Sequence, residues 1–184
     1  MKKYTICMYG AASDNIEKIY TDSARELGEK LAQANYNLIY GGGSKGLMGA
    51  FSNGVLSQGG QVTGVVPTFM NQFEDVNENC TKLIRTRTMC ARKAIMEKIA
   101  DAFIITPGGI GTFDEFFEIL TLKELGRTSK PIIIFNFDHY YDDVLSMINQ
   151  RIQRGFIPAF VSTLFQVCST PEETLSTLDQ ILKK

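Results

Sequence analysis

The chain contains no tryptophan and a single histidine, His139. A Ser-His-Asp triad would have to rest on that one imidazole, and a Cys/His zinc site has too few ligands to choose from. Four cysteines are present, Cys7, Cys80, Cys90 and Cys168, and none forms a CxxC pair. They read as small buried hydrophobes of a reducing cytosol. Charge of either sign is not in excess: 19 Lys and Arg face 20 Asp and Glu, a net charge of -1. That balance argues against non-specific nucleic-acid binding, which needs a basic surplus, but leaves room for a local basic pocket holding one small anion. No apolar run approaches the ~20 residues of a membrane span. Met1-Lys2-Lys3 followed by apolar residues imitates a signal peptide. The stretch from Tyr4 to Tyr9 is broken by Thr5, however, and falls short of the ~7–15-residue apolar region such a peptide needs. The expectation is a cytoplasmic protein with no membrane partner and no nucleic-acid partner.

What is present is ordinary globular material: 184 residues, 44% hydrophobic and 21% charged. This amounts to a single domain over residues 1–184 at ~100–200 residues per domain. Short β-like runs alternate with longer helical stretches. Strands are predicted over 4–9, 37–40, 61–66, 81–86, 102–106, 131–135 and 165–168. Helices are predicted over 16–33, 47–58, 88–100, 112–125, 140–154 and 171–182. The first helix carries Ile16, Ile19, Tyr20, Ala24, Leu27 and Leu31 on one stripe. Gly59-Gly60 stops the second, and a proline opens the last. Residues 68–79 are polar and read as a loop. Strand–helix alternation with apolar strands predicts an α/β fold: a Rossmann-like, doubly wound parallel sheet with helices on both faces. Such sheets bind ligands beyond the carboxyl ends of their strands, so the strand-to-helix turns are where chemistry is sought.

Two of those turns are rich in glycine. One runs Gly41-Gly42-Gly43-Ser44-Lys45-Gly46-Leu47-Met48-Gly49, the other Pro107-Gly108-Gly109-Ile110-Gly111-Thr112. Glycine permits positive φ and lets an anion approach the backbone N–H groups, and a helix N-terminus adds roughly half a positive charge. Thr112 can contribute a hydroxyl. Together these make a phosphate cradle that needs no lysine, with Gly42 and Gly43 as candidate contacts in the first turn. The alternative is a pair of tight turns that only pack helices close to strands. Neither turn fits the dinucleotide fingerprint well, and neither ends in the Gly-Lys-Ser/Thr of a Walker loop.

Glu115 lies three residues after Thr112, and Thr-x-x-Glu is a capping box. Its carboxylate therefore has two competing destinations: folded back onto the backbone of Thr112, or facing a phosphorylated sugar held by the same turn. Arg92 and Lys93 fall on the helix over 88–100, near Arg85 and Arg87. They are either solvated surface charge or a basic cluster for an anion. Glu74 and Glu78, in the loop over 68–79, are the candidate lid residues.

The order Gly41-Gly42-Gly43-x-x-Gly46-Leu47-Met48-Gly49, Met89-x-x-Arg92-Lys93-x-x-Met96, Pro107-Gly108-Gly109-x-Gly111-Thr112-x-x-Glu115 resembles the LONELY GUY (LOG) family. These are cytokinin riboside 5′-monophosphate phosphoribohydrolases, long mislabelled as lysine decarboxylases. Gly155-Phe156-Ile157 extends the likeness over nearly the whole chain. The resemblance implies hydrolysis of the N-glycosidic bond of (N6-modified) adenosine 5′-monophosphates to a free base and ribose 5-phosphate. Arg92 and Glu115 would be catalytic. Substrate contacts would come from Glu74, Arg92, Lys93, Gly108, Gly109, Ile110, Gly111, Thr112, Phe113, Asp114 and Thr121. A homodimer is implied; no metal or redox cofactor is. Two departures stand out: Tyr9-Gly10-Ala11-Ala12-Ser13 replaces a common Cys-Gly-Ser-Ser, and Ile110 replaces a frequent tyrosine. The alternatives are a broader nucleoside 5′-monophosphate nucleosidase and a non-catalytic nucleotide-binding module. Pyridoxal-phosphate decarboxylation has no support, for no Schiff-base lysine context is recognisable.

Overall fold

The computed structural model describes residues 3–72 and 75–183; Glu74 lies outside the described residues. Seven strands, β1 (Thr5–Tyr9), β2 (Asn37–Tyr40), β3 (Val62–Pro67), β4 (Lys82–Thr86), β5 (Ala102–Ile105), β6 (Ile132–Phe135) and β7 (Gln166–Cys168), form one sheet in the order β4-β3-β2-β1-β5-β6-β7. Every pairing is parallel. The chain winds outward from β1 to β4, then returns to β1's free side with β5 and winds the other way. The reversal therefore falls between β1 and β5, and their carboxyl ends flank the crevice where such sheets bind ligands.

The apolar strands are the reason for burial on both faces. Ile6 and Met8 of β1 point into one core, Cys7 and Tyr9 into the other, by the two-residue alternation of an extended chain. The first core is closed by Ala24, Leu27 and Leu31 of α1 (Lys18–Gln33), by Leu47, Phe51 and Val55 of α2 (Gly46–Ser57) and by Leu178 of α6 (Pro171–Leu182). The second takes Met96 of α3 (Met89–Ile99), Phe116 and Ile119 of α4 (Ile110–Glu124) and Ile148 of α5 (Asp142–Gln153). This is the predicted α/β architecture. Among the described residues, no helix is long and apolar enough to cross a membrane.

Three helix starts differ from the sequence expectation by two residues, and the other boundaries agree to within one. The first helix starts at Lys18, not at residue 16, because the segment before it is tied into a turn. Asn15 N–H donates to Ser13 Oγ, and Asp14 Oδ1 accepts from Gly46 N–H. Ile19 is 48% exposed and leaves the buried stripe, whereas Ile16, ahead of the helix, still packs half-buried against the first core. The predicted helix over 140–154 begins only at Asp142. Asn136 accepts from Tyr141 N–H and donates to Asp142 Oδ1, after a short 3-10 turn, Phe137–His139. The largest consequence attaches to α4. Its N-cap is Gly109, and Phe113 N–H already donates to the Gly109 carbonyl at 3.1 Å. Thr112 is thus the third helical residue rather than the cap, so the Thr112–Glu115 capping box does not form. The polar stretch 68–79 also holds a 3-10 turn, Thr68–Gln72.

Candidate functional site

The turns after β1 and β5 are stitched to each other. Ala11 N–H donates to the Pro107 carbonyl (3.1 Å), and the backbone N–H and hydroxyl of Thr106 both donate to the Tyr9 carbonyl (2.9 and 3.0 Å). Met48 N–H, in the first turn of α2, donates to the Ala11 carbonyl (3.1 Å). Tyr141 and Tyr140 hydroxyls donate to the carbonyls of Thr106 (2.7 Å) and Gly108 (2.8 Å). Backbone groups that a turn would leave to water are thereby paired, and the crevice is held rigid from below.

Above this floor lies a cavity of about 430 Å3, within the range of small-molecule sites. Its polar wall is Tyr9, Ser13, Arg92, Thr112, Asp114 and Glu115. Arg92 arrives on the first turn of α3, which Thr88 caps by accepting from Ala91 N–H (3.1 Å). Glu115 arrives on the second turn of α4. Arg92 Nη2 stands 3.4 Å from Glu115 Oε1, and each side chain is only 9% exposed. The carboxylate thus faces the arginine, a partner that neither of the two destinations weighed from the sequence had named. Arg92 Nη1 otherwise has only the Met89 thioether at 3.9 Å, and its buried Nε has no hydrogen-bond partner among the described residues. A buried guanidinium with donors to spare, beside the positive end of α4, is an anion- or hydroxyl-binding arrangement.

Tyr9 ends β1 directly beneath this pair. Its ring stacks on Phe103 (6.0 Å, 12° between planes) and it is 3% exposed. Burial, with the Cys7 thiol and the Glu115 carboxylate adding to it, drives the phenol well above its ordinary range. It stands as a neutral hydroxyl. Burial likewise pushes the Cys7 thiol up.

The structure brings together Arg92, Gly109, Gly111, Thr112, Asp114 and Glu115 on this cavity. The other candidates lie elsewhere. Lys93 Nζ is taken by Glu118 Oε2 (2.6 Å) and Asp114 Oδ2 (3.1 Å), so it clamps α3 to α4 and holds Asp114 at the rim. Those two bonds, the one to Glu118 foremost, raise its pKa. Gly108 borders a neighbouring depression shared with Ser13, Tyr20 and Tyr140. Phe113 packs into the second core, edge-on to Tyr141 at 6.1 Å. Ile110 is 84% exposed and off the cavity. Thr121 is exposed and lies six residues beyond Glu115, about 9 Å along the helix. Gly42 and Gly43 do not line the cavity either: Gly42 packs on Val66, and Gly43 bridges to Val76. The expected basic cluster also disperses, for Arg85 pairs with Glu78 (3.3 Å) and Arg87 is exposed.

In the first glycine turn the cavity residue is Gly41. A Cβ on it would come 2.1 Å from Arg92 Nη2, so the bare Cα is what admits the guanidinium. Sequence reasoning missed Gly41 and Tyr9, although both stand where a predicted strand ends. It also missed the apolar wall of Met8, Met48, Met70 and Met89. No group of three or more His, Cys, Asp or Glu side chains that could hold a metal occurs among the described residues.

Residues 48–178 match a family model described as "Possible lysine decarboxylase". The chain is 35% identical, over 97% of its own length and 84% of the relative's, to cytokinin riboside 5′-monophosphate phosphoribohydrolase LOG2 of Arabidopsis thaliana. It is 37% identical, over 95% of its length and 72% of the relative's, to the enzyme of the same name, LOG, from Oryza sativa subsp. japonica. Among solved structures, the molybdenum cofactor carrier protein of Chlamydomonas reinhardtii superposes with a TM-score of 0.77 over 100% of both chains at 21% identity, a likeness of fold alone. By these matches the chain belongs to the cytokinin riboside 5′-monophosphate phosphoribohydrolase (LOG) family.

Proposed function

We propose that the cavity hydrolyses the N-glycosidic bond of nucleoside 5′-monophosphates, N6-modified adenosine 5′-monophosphates among them, releasing the free base and ribose 5-phosphate. The observation that carries this reading is the buried Arg92–Glu115 pair at the entrance of α4, in a chain of this family, with a guanidinium Nε that has no hydrogen-bond partner among the described residues.

The phosphate suits the first turn of α4, where the amides of Gly109, Gly111 and Thr112 and the Thr112 hydroxyl stand at the helix's positive end. That places the anomeric carbon towards Glu115. As the C1′–N bond breaks, its electron pair leaves with the base and positive charge builds on the ribose. A fixed carboxylate stabilises that charge more strongly in a water-poor site than it would in bulk solvent. The oxygen of a water then bonds to C1′. Glu115 takes one of its protons and passes it to solvent, and the departing base takes one proton up. Arg92 keeps its own proton at neutral pH. Its role is to hold Glu115 and a ribose or phosphate oxygen in register. Lys93 acts indirectly, by fixing Asp114 and the α3–α4 spacing. No step in this sequence calls for a metal or redox cofactor.

The reading extends to a cytoplasmic homodimer acting on small nucleotides rather than nucleic acids. Support comes from the near-neutral charge and from apolar side chains open to solvent, Ile110 (84%), Phe156 (78%) and Leu125 (66%). On α3, Met96 is 0% exposed and belongs to the core, whereas Ile99 is 41% exposed. Light scattering on the eluting protein gives the stoichiometry. The activity is tested by incubating purified protein with AMP and isopentenyl-AMP and measuring free base. Base must appear, and it must fall away with the corresponding nucleosides, which lack the phosphate that positions the bond. Equal rates on nucleoside and nucleotide would refute the phosphate anchor.

A further inference from the structure

Apart from Ala11 and Ala12, the aliphatic side chains lining the cavity are methionines. Four of the chain's seven methionines, Met8, Met48, Met70 and Met89, border this one space. They come from four separate elements: β1, the first turn of α2, the 3-10 turn after β3, and the first residue of α3. Core packing accounts for Met8 and Met48, which are 0% and 5% exposed and belong to the first core. It does not account for Met70 and Met89, which are half-buried and belong to neither core.

Two of the sulphurs also border Arg92. Met89 Sδ is 3.9 Å from Arg92 Nη1, and Met48 Sδ is 3.1 Å from the point beside Gly41 where Arg92 Nη2 also crowds. With the phosphate on α4 and the anomeric carbon at Glu115, the base has this wall left to it. Thioether side chains are unbranched and polarisable, fit irregular shapes and make favourable contacts with aromatic rings. They offer no fixed donor and only a weak acceptor to a base edge.

We infer that Met48, Met70 and Met89 form the platform on which the nucleobase lies, so that the base is recognised by its face and not by its edge. This rests on the proposed hydrolase reading and adds how that site reads the base: through apolar contact with the ring face and with any apolar substituent, with phosphate and ribose setting affinity and the purine edge read weakly. A site that hydrogen-bonds an edge rejects the wrong base by about 10⁴–10⁵, whereas soft apolar contact discriminates only about 10–200-fold.

The test uses calorimetric affinity for isopentenyl-AMP, AMP, GMP and ribose 5-phosphate. Binding is measured in a Glu115→Gln background so that bound nucleotide is not consumed, and turnover is measured separately in the otherwise wild-type chain. Met70→Ala and Met89→Ala are expected to weaken isopentenyl-AMP about two- to tenfold each and AMP less, with ribose 5-phosphate unchanged. Met70→Leu and Met89→Leu, which restore apolar bulk, should recover most of the loss. AMP and GMP should differ less than about 200-fold. The inference is overturned if ribose 5-phosphate weakens in step with the nucleotides, or if AMP and GMP differ by more than about 10⁴. Absence of base release from every nucleotide would sink the hydrolase reading instead, and the binding series would still decide the platform.

Discussion

Arg92 Nη2 faces Glu115 Oε1 at 3.4 Å across the cavity floor, a separation too long for a firm charge-assisted hydrogen bond, in a place nearly closed to solvent. An ion pair held this loosely, beside a buried Nε with no hydrogen-bond partner among the described residues, is built to receive a third group. Catalytic hydrogen bonds are often long before substrate arrives and tighten afterwards.

The two residues should therefore fail differently on substitution. Glu115→Gln keeps size and a hydrogen-bond acceptor, so the fold persists while turnover drops by about 10²–10⁴, the usual worth of a positioned base or charge stabiliser. Arg92→Ala also removes turnover but leaves a buried carboxylate without its charge partner, at a stability cost of up to about 3–5 kcal/mol. Thermal unfolding of both variants beside base-release assays separates the two effects. A Glu115→Gln enzyme as active as wild type would remove the carboxylate from the mechanism.

Gly41 gives a sharper test of how the arginine is seated. A methyl group there would sit 2.1 Å from Arg92 Nη2 and 3.1 Å from Met48 Sδ. Both are ends of flexible side chains, so the backbone has no need to move. Gly41→Ala should cost turnover by at least about tenfold through a displaced guanidinium, a small geometric shift having a large kinetic effect. The melting temperature should hold within a few degrees. A variant with unchanged kcat would mean that the guanidinium can move without consequence.

The glycines of the α4 turn divide in the same manner. On Gly108 a Cβ would meet Thr112 Oγ1 at 2.1 Å and the Ala11 backbone nitrogen at 3.0 Å, so Gly108→Ala strains the stitched turns and lowers stability. On Gly109 and Gly111 it would meet nothing within 4 Å. Within the helix, glycine-to-alanine is worth up to about 1 kcal/mol in favour of alanine, so Gly111→Ala should fold at least as well as wild type. If a phosphate sits against these amides, the added methyl excludes it, and KM for AMP rises while stability does not fall. An unchanged KM in both Gly109→Ala and Gly111→Ala would place the phosphate elsewhere.

The elements most legible in the sequence were those decided by local pattern. Continuous apolar runs marked β5 and β6, and Pro171 marked the start of α6 to the residue. The start of α4 was not legible, because Gly-Gly-Ile-Gly-Thr is a poor helix former on propensity. Its first turn is helical because the stitched β1 and β5 turns fix Gly109 as the cap. The arginine–glutamate pair was legible as motif spacing, but not as a contact, since Arg92 and Glu115 meet only when α3 and α4 pack on the same sheet face. Gly41 escaped for a related reason. Three successive glycines look alike in sequence, and only the tertiary position of Arg92 distinguishes the first from Gly42 and Gly43.

Lys93 offers a prediction in pH. Its bonds to Glu118 and Asp114 raise its pKa above 10.5 in the folded chain. A raised pKa on a cation means that the folded state holds the proton more tightly than the unfolded one. The clamp's contribution is therefore complete below the unfolded value and disappears as pH climbs through the folded value. Lys93→Gln should melt lower than wild type at pH 8, and the gap should narrow above 10.5. If Lys93 instead gripped the substrate phosphate directly, the same substitution would raise KM steeply for nucleotides while leaving the pH 8 melting temperature in place. Tm at the two pH values together with KM at pH 8 decides between a lysine that positions Asp114 and one that touches substrate.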